Sequence, residues 1–521
     1  MVVTAQTRQH EEHLPLYVIV TCMVAATGGL LFGYDIGISG KENAGGITTM
    51  DDFLKKFFPA THEKTKGGSP ILEDEYCKYN NHLLTLFTSS LYLAALISSI
   101  FASTITRKYG RKASMFVGGS LFLTGALLGS IANKVSWVIV GRLFLGFGVG
   151  FCNQSVPVYL CEMAPAKHRG ALNMYFQMAV TIGILAANFI NFVAARIPGG
   201  FGWRVSIGLV AFPAMVMMVG ALALSDTPIS LIERGHHDAA KRTLQKIRGT
   251  INVEHEFQDL IYASYFSNKV EYPWKNILLP RYRPQLVICI LIPIFQQLTG
   301  INNIIFYSPV LFKTMGFGSD ASLISATITG GVFVVATVLS IISVDRFGRR
   351  VLFLVGGLLM MICQIGVGAI IGLSFGVTGE GSLSKAEANI MLALICGYVM
   401  AFGWSWAPLG WLVPSEISPV EARPTAQAIT VAFNMLFTFI IAQSFLSSLC
   451  FMKFAIFFFF AFLLAIMIVF MYLFVPETRN VPLEGMSMVL KLHWFWGKYI
   501  PDEVILWDYE SRLLRQVEQS N

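Results

Sequence analysis

Two ionisable side chains stand where an apolar chain would normally exclude them. Asp35 lies in the run 15–40 and Arg142 in the run 136–160. A charged group at the centre of a membrane helix costs about 2.5–3.5 kcal/mol on insertion scales, so such residues usually pair, face a cavity and mark function. A nearby guanidinium favours the charged form of a carboxylate, whereas desolvation favours the neutral form. If one conformation brings Arg142 close and another withdraws it, Asp35 would release and take up a proton in each cycle. The alternative is a purely structural ion pair between two helices.

A second group is neutral. Gln177 occupies the run 169–193, and Gln296, Gln297, Asn302 and Asn303 crowd the run 284–312. A planar amide offers donor and acceptor together, which suits a ligand carrying neighbouring hydroxyls. Amides in an apolar helix are costly unless they face a polar cavity, or they act as hydrogen-bonding glue between helices. Both readings stay open. The adjacent Thr299-Gly300 step would let this helix bend or break.

The elements that must carry these groups follow from composition. Of 521 residues, 55% are hydrophobic and 13% are charged, against roughly 25% charged in an ordinary soluble domain. A span needs about 20 predominantly apolar residues. Twelve runs meet that rule, near 15–40, 83–105, 113–133, 136–160, 169–193, 203–224, 284–312, 320–343, 351–373, 387–413, 423–447 and 452–475. The fold class expected is therefore an all-α membrane protein. Residues 1–14 are polar and lack a basic stretch, so the first run reads as an uncleaved span.

Lys and Arg set the topology. Arg107, Lys108, Arg111 and Lys112 follow the second run, and Arg346, Arg349 and Arg350 follow the eighth. These loops fall on one side if both termini are cytoplasmic. The net charge of +7 is thus a membrane-topology signal, and no nucleic-acid partner is expected. The division expected is 1–224 with an outer cap over 41–82, a cytoplasmic linker of short amphipathic helices over 225–283, a second unit over 284–475, and a tail over 476–521. No metal-ligand cluster, Ser/His/Asp arrangement or phosphate-cradling loop stands in a plausible setting, so neither enzyme nor cofactor is expected. GFGVG at 146–150 reads as close helix packing. Six of the eight cysteines lie inside apolar runs and read as small buried hydrophobes.

An internal repeat ties the two units together. RKYGRK at 107–112 corresponds to DRFGRR at 345–350, and PVYLCEMAPAKHRG at 157–170 to WLVPSEISPVEARP at 411–424. Glu162 thereby pairs with Glu416, and Arg169 with Arg423. Two six-span halves related in this way predict a binding site between repeats near the bilayer midplane.

The order of motifs resembles the sugar porters of the major facilitator superfamily, and most closely the plant proteins that couple monosaccharide uptake to protons. GGLLFGYDIGISG at 28–40, GRLFLGFGVGF at 141–151, DTPISLIERG at 226–235, QQLTGINNIIFYSP at 296–309 and PETRNVPLEGM at 476–486 carry the resemblance across the chain. It implies a major facilitator fold, a hexose and a proton as cargo, and a multi-pass place in the plasma membrane; a monomer is expected because the site lies within one chain. The proton site carries over to Asp35 with Arg142 as partner. The sugar-contacting set carries over to Gln177, Gln296, Gln297, Asn302, Trp411 and Asn434, with Trp411 stacking on the ring. A lipid-interface role for Trp411 is the alternative. Where the family usually places another amide, this chain has Phe333, which predicts altered preference or weaker affinity. KENAG at 41–45 is a second departure, just past Asp35.

Arg111, Glu162, Arg169, Asp345, Arg346, Arg349, Glu416 and Arg423 are expected to lock a cytoplasmic gate, a solvated charge face being the alternative. Thr106 precedes Arg107 where the second half has Asp345, so the first-half lock should be weaker. The resemblance also implies a disulfide between Cys77 and Cys450, both on the outer side; two free thiols are the alternative. Competing functions are a facilitative sugar or polyol carrier and a non-transporting sugar sensor.

Overall fold

A computed structural model describes residues 14–38, 47, 50–59, 82–197, 199–268, 273–301, 304, 321–376, 384–419, 422–481 and 483–502. Among these the regular elements are all helical. The first half comprises α1 (Leu16–Ile38), the short α2 (Asp51–Phe57), α3 (His82–Tyr109), α4 (Arg111–Ser130), α5 (Val135–Met163), α6 (Arg169–Ala194) and α7 (Gly202–Ala223). Short helices α8 (Pro228–Glu233), α9 (His237–Arg248) and α10 (Glu254–Asn268) follow. The second half comprises α11 (Arg283–Leu298), α12 (Ala321–Phe347), α13 (Arg349–Phe375), α14 (Lys385–Trp404), α15 (Trp406–Ile417), α16 (Arg423–Met452) and α17 (Ala455–Phe474), with α18 (Met486–Lys491) beyond.

Eleven spans among the described residues are long and apolar enough to cross a bilayer; α14 and α15 together make one of them, Ala386–Ile417. The seventh expected span is seen as α11, 16 residues long, and most of its expected outer part falls outside the described residues. Side chains such as Phe101, Phe212 and Phe462 are more than 60% exposed. On a soluble protein such a surface would be an aggregation liability; here it is the surface that meets lipid.

Each half has its own apolar core. One cluster joins α1 and α3–α7, including Phe32, Phe122, Phe176 and Trp203. The other joins α11–α17, including Phe333, Phe353, Tyr398 and Trp406. Trp411, Val431 and Met435 of the second half pack into the first cluster. The halves therefore interlock rather than merely touch.

Glycine permits two features. Gly146 lets α5 lie against α3: a Cβ there would stand 2.4 Å from the Leu91 carbonyl oxygen, in keeping with the close packing read from GFGVG. Gly110 and Gly348 occupy the two basic turns with φ of +96° and +89°, a region costly for residues with a Cβ. On the outer side, α2 sets Phe53 and Phe57 edge-on against Trp203, with ring centroids 5.7 and 5.2 Å away. The KENAG stretch lies outside the described residues.

Candidate functional site

Asp35 and Arg142 meet. Arg142 donates from an Nη to Asp35 Oδ1 at 2.7 Å, and their side chains are 2% and 5% exposed. Asp35 belongs to α1, whose residues on both sides are apolar or glycine, and Arg142 to α5. Two helices packed together thus hold a closed carboxylate–guanidinium pair inside the first half. Such a pair stabilises little relative to apolar residues, because desolvation offsets the Coulombic gain. Its chemistry lies in what separation would do: a buried carboxylate without its cation favours the neutral, protonated form.

The amides assemble at the seam between halves. Gln296 donates to the Trp406 and Ala407 carbonyls at 3.1 and 2.7 Å, at the kink where α14 gives way to α15. Asn434 donates to Gln296 Oε1 at 2.7 Å. Gly410 makes room for this arrangement, since a Cβ there would stand 2.4 Å from Gln296 Nε2. Gln177 is buried and forms no hydrogen bond among the described residues, while Gln297 is half-buried. Asn302 and Asn303 lie outside the described residues. Beyond the break, Gly300 has φ +83°, and Tyr398 donates its hydroxyl to the Thr299 carbonyl at 2.6 Å.

Trp411 is 4% exposed, so it is not a lipid-interface aromatic. Its ring meets Phe32 edge-on at 6.4 Å and Phe176 at 5.6 Å. Phe32 lies one turn before Asp35 on α1, and Phe176 precedes Gln177 on α6. The indole thus links the helix of the ion pair to the helix of the first-half amide. Phe333 is instead packed within the second-half core, 5.9 Å from the Phe402 ring and against Gly403. An amide would find apolar neighbours at that point.

Two homologous charge nodes occupy the face that carries the basic turns. In the first, Arg111 pairs with Glu162 at 2.9 Å and Glu233 at 2.8 Å. In the second, Arg349 pairs with Glu416 at 2.7 Å and Asp345 at 3.0 Å. The Arg111, Glu162, Arg349 and Glu416 side chains are at most 1% exposed, so they are no solvated face. Contacts also cross the seam. Arg423 reaches Glu162 at 3.5 Å, the Ala171 amide donates to Asp345 at 2.8 Å, and Arg169 donates to the Val481 carbonyl at 3.0 Å. Where the first half has Thr106, its hydroxyl donates to Gln154, which donates to the Pro424 carbonyl at 3.0 Å. A neutral relay replaces the direct carboxylate. Arg346 does not join: it is exposed and forms no ion pair among the described residues. Asp345 near the end of α12 and Arg349 at the start of α13 pair across the Gly348 turn instead.

Besides Glu233, four partners escaped the sequence reading. Asp226 accepts from the Arg111 amide at 3.2 Å, and Glu477 from the Arg349 and Arg350 amides at 3.0 and 3.1 Å. Each carboxylate thereby caps the helix that follows a basic turn. Thr227 and Thr478 donate to Glu162 and Glu416 at 2.6 and 2.7 Å. The signal was present: an acid followed by Thr comes just after the last span of each half, in DTPIS and PETRN. Cys77 lies outside the described residues, as does the Cys450 side chain. The six described cysteines are free and buried or half-buried.

A polytopic bundle with a buried ion pair, an amide cluster at the seam and charge nodes on one face defines a membrane transporter of two pseudo-symmetric halves. The sequence model described as "Sugar (and other) transporter" matches residues 21–490. Sugar transport protein 4 of Arabidopsis thaliana is 57% identical, covering 96% of each chain. Sugar transport protein MST3 of Oryza sativa is likewise 57% identical over 96% of each. The proton:xylose symporter XylE, bound to 6-bromo-6-deoxy-D-glucose, superposes with a TM-score of 0.78 at 26% identity, over 91% of this chain and 99% of that one. Against partially occluded inward-open XylE from E. coli, at 25% identity over 89% and 98%, the score is 0.67. The chain belongs to the sugar transporter family of the major facilitator superfamily.

Proposed function

We propose that this protein takes up a monosaccharide together with one proton by alternating access, in the plasma membrane, with both termini in the cytoplasm. The observation that carries this reading is the buried Asp35–Arg142 pair at 2.7 Å in a chain whose relatives are named sugar transport proteins. Asp35 takes a proton from the outer side when Arg142 is drawn away, and gives it up inside when the pair re-forms. Trp411, Gln177, Gln296, Gln297, Asn434 and the pair Asn302 and Asn303 bind the sugar between the halves. In the closed state Gln296 spends its donors on the α14–α15 kink and its acceptor on Asn434, so sugar hydroxyls would replace bonds already made there. That exchange makes the site responsive to a ligand without leaving bare polar groups in its absence.

The Arg111–Glu162 and Arg349–Glu416 nodes, with Asp226, Thr227, Glu477 and Thr478, hold the inner gate closed. Arg423 and Asp345 carry that hold across the seam, and residues 225–283 tether the halves. Cys77 and Cys450 form a disulfide joining the outer cap to the second half. The protein works as a monomer, since each proposed contact falls within one chain. The test is uptake of labelled glucose, galactose and fructose in cells without their own hexose carriers, at acidic and neutral outside pH, with and without a protonophore. Uptake rising with acidity and collapsing with protonophore supports symport. Uptake indifferent to both makes the protein a facilitative carrier and overturns the role given to Asp35.

A further inference from the structure

The segment leading into α11 reads PWKNILLPRYR over 273–283, with five cationic or aromatic positions beside two adjacent leucines and no acid. Two side chains pin it to the protein: Ile277 is 1% exposed within the second-half core, and Tyr282 is 5% exposed. Backbone bonds from Leu278 to Lys275, Leu279 to Asn276 and Tyr282 to Leu279 hold its turns. What this leaves outward is unusual for a surface facing water. Leu278 is 62%, Leu279 42% and Trp274 39% exposed, and Lys275, Arg281 and Arg283 are exposed beside them.

Arg283 is the first residue of α11, so the segment sits at the mouth of a span. An apolar face flanked by cations at that depth matches one environment, the boundary between acyl chains and anionic headgroups. We propose that residues 274–283 form a binding site for an anionic phospholipid: Trp274, Leu278 and Leu279 enter the acyl boundary while Arg281 and Arg283 hold the headgroup phosphate. The guanidinium of Arg281 lies 4.4 Å from the Tyr282 ring centroid, which limits its freedom before any lipid arrives. The other end of the same half is finished alike. Trp494 donates its indole N–H to the Leu473 carbonyl near the end of α17 at 3.0 Å, and Leu492, Trp494 and Lys498 are exposed just beyond α18. The second half is therefore seated in the leaflet at its entry and its exit.

The test uses the full-length protein carrying Leu278→Cys labelled with bimane, reconstituted in bilayers whose brominated lipid is either phosphatidylcholine or phosphatidylserine. Bromine quenches bimane only on close approach. We expect quenching in both, severalfold stronger with brominated phosphatidylserine, and loss of that preference in an Arg281→Gln/Arg283→Gln background. Each cation near an anionic surface contributes roughly a fivefold preference, so two removals should abolish most of it. No quenching would place Leu278 in water and overturn the assignment. Quenching indifferent to headgroup charge would overturn the phosphate contact. Quenching that appears only when the protein is diluted in lipid would overturn the assignment and give this face to a second copy of the chain instead. None of these readouts depends on sugar transport.

Discussion

Replacing Asp35 by Asn should separate transport from accumulation. Asn keeps the shape and can still accept from Arg142, but it leaves the buried guanidinium without its counter-charge, a loss of about 3–5 kcal/mol. The variant should therefore melt at a clearly lower temperature, and sugar exchange without a gradient serves as the check that it is folded. What it loses is the titratable group. One carboxylate carries one proton per sugar, and a proton gradient of one pH unit is worth about 1.4 kcal/mol, or tenfold accumulation. Purified protein in liposomes, with the membrane potential clamped to zero and the outside about one pH unit more acidic, should concentrate labelled hexose roughly tenfold. Asp35→Asn should bring inside and outside to equality while still exchanging labelled for unlabelled sugar without a gradient. Tenfold, protonophore-sensitive accumulation by the variant would refute the reasoning, because another group would then carry the proton.

Three further outcomes follow from the geometry. Glu162→Gln removes the charge shared by Arg111 and Arg423, and breaking a buried pair costs about 3–5 kcal/mol. Native Cys161, buried 3.6 Å from the Ser415 carbonyl across the seam, should then label from the inner side more than tenfold faster, whereas Glu416→Gln, whose partners lie within its own half, should move it less; equal, unchanged labelling in both would show that the node is not a gate. Gly348→Ala forces a Cβ to a φ of +89° and to 2.5 Å from Glu477, so about 1–3 kcal/mol of strain plus the clash should lower the melting temperature in detergent; an unaltered melt would mean the turn relaxes freely. Phe333→Asn removes the contact with Phe402 at a cost of about 3–5 kcal/mol by analogy with Phe truncations, and it should change KM and sugar preference. A destabilised protein with unchanged KM for each hexose would show that position 333 packs the core and does not touch the sugar.

Much of the architecture was legible from composition, because a bilayer admits helices of one approximate length and little else. Eleven of the twelve apolar runs therefore became spanning helices near their expected bounds among the described residues, and the repeat placed equivalent motifs at equivalent ends. Asp35 and Arg142 were legible for the same reason. Two opposite charges in apolar spans have few partners other than each other. The acid-Thr pairs 226–227 and 477–478 were equally visible as text, yet their role was not. A capping carboxylate acts on a helix start distant in sequence, here 115 residues away for Asp226 and Arg111.

Only the tertiary structure decided which neighbour each group has. Hydropathy does not separate a residue that faces lipid from one that faces another helix, since both are apolar. It could not say that Trp411 belongs to the core of the opposite half, that Phe333 is covered by Phe402, or that the Gln296 amide is held by the kink at α15. Nor could spacing tell that Arg346 turns outward while Arg349, three residues later, is buried against Glu416. In that turn both are simply basic residues; the direction each side chain takes is set by the start of α13 and by the carboxylates that pack against it.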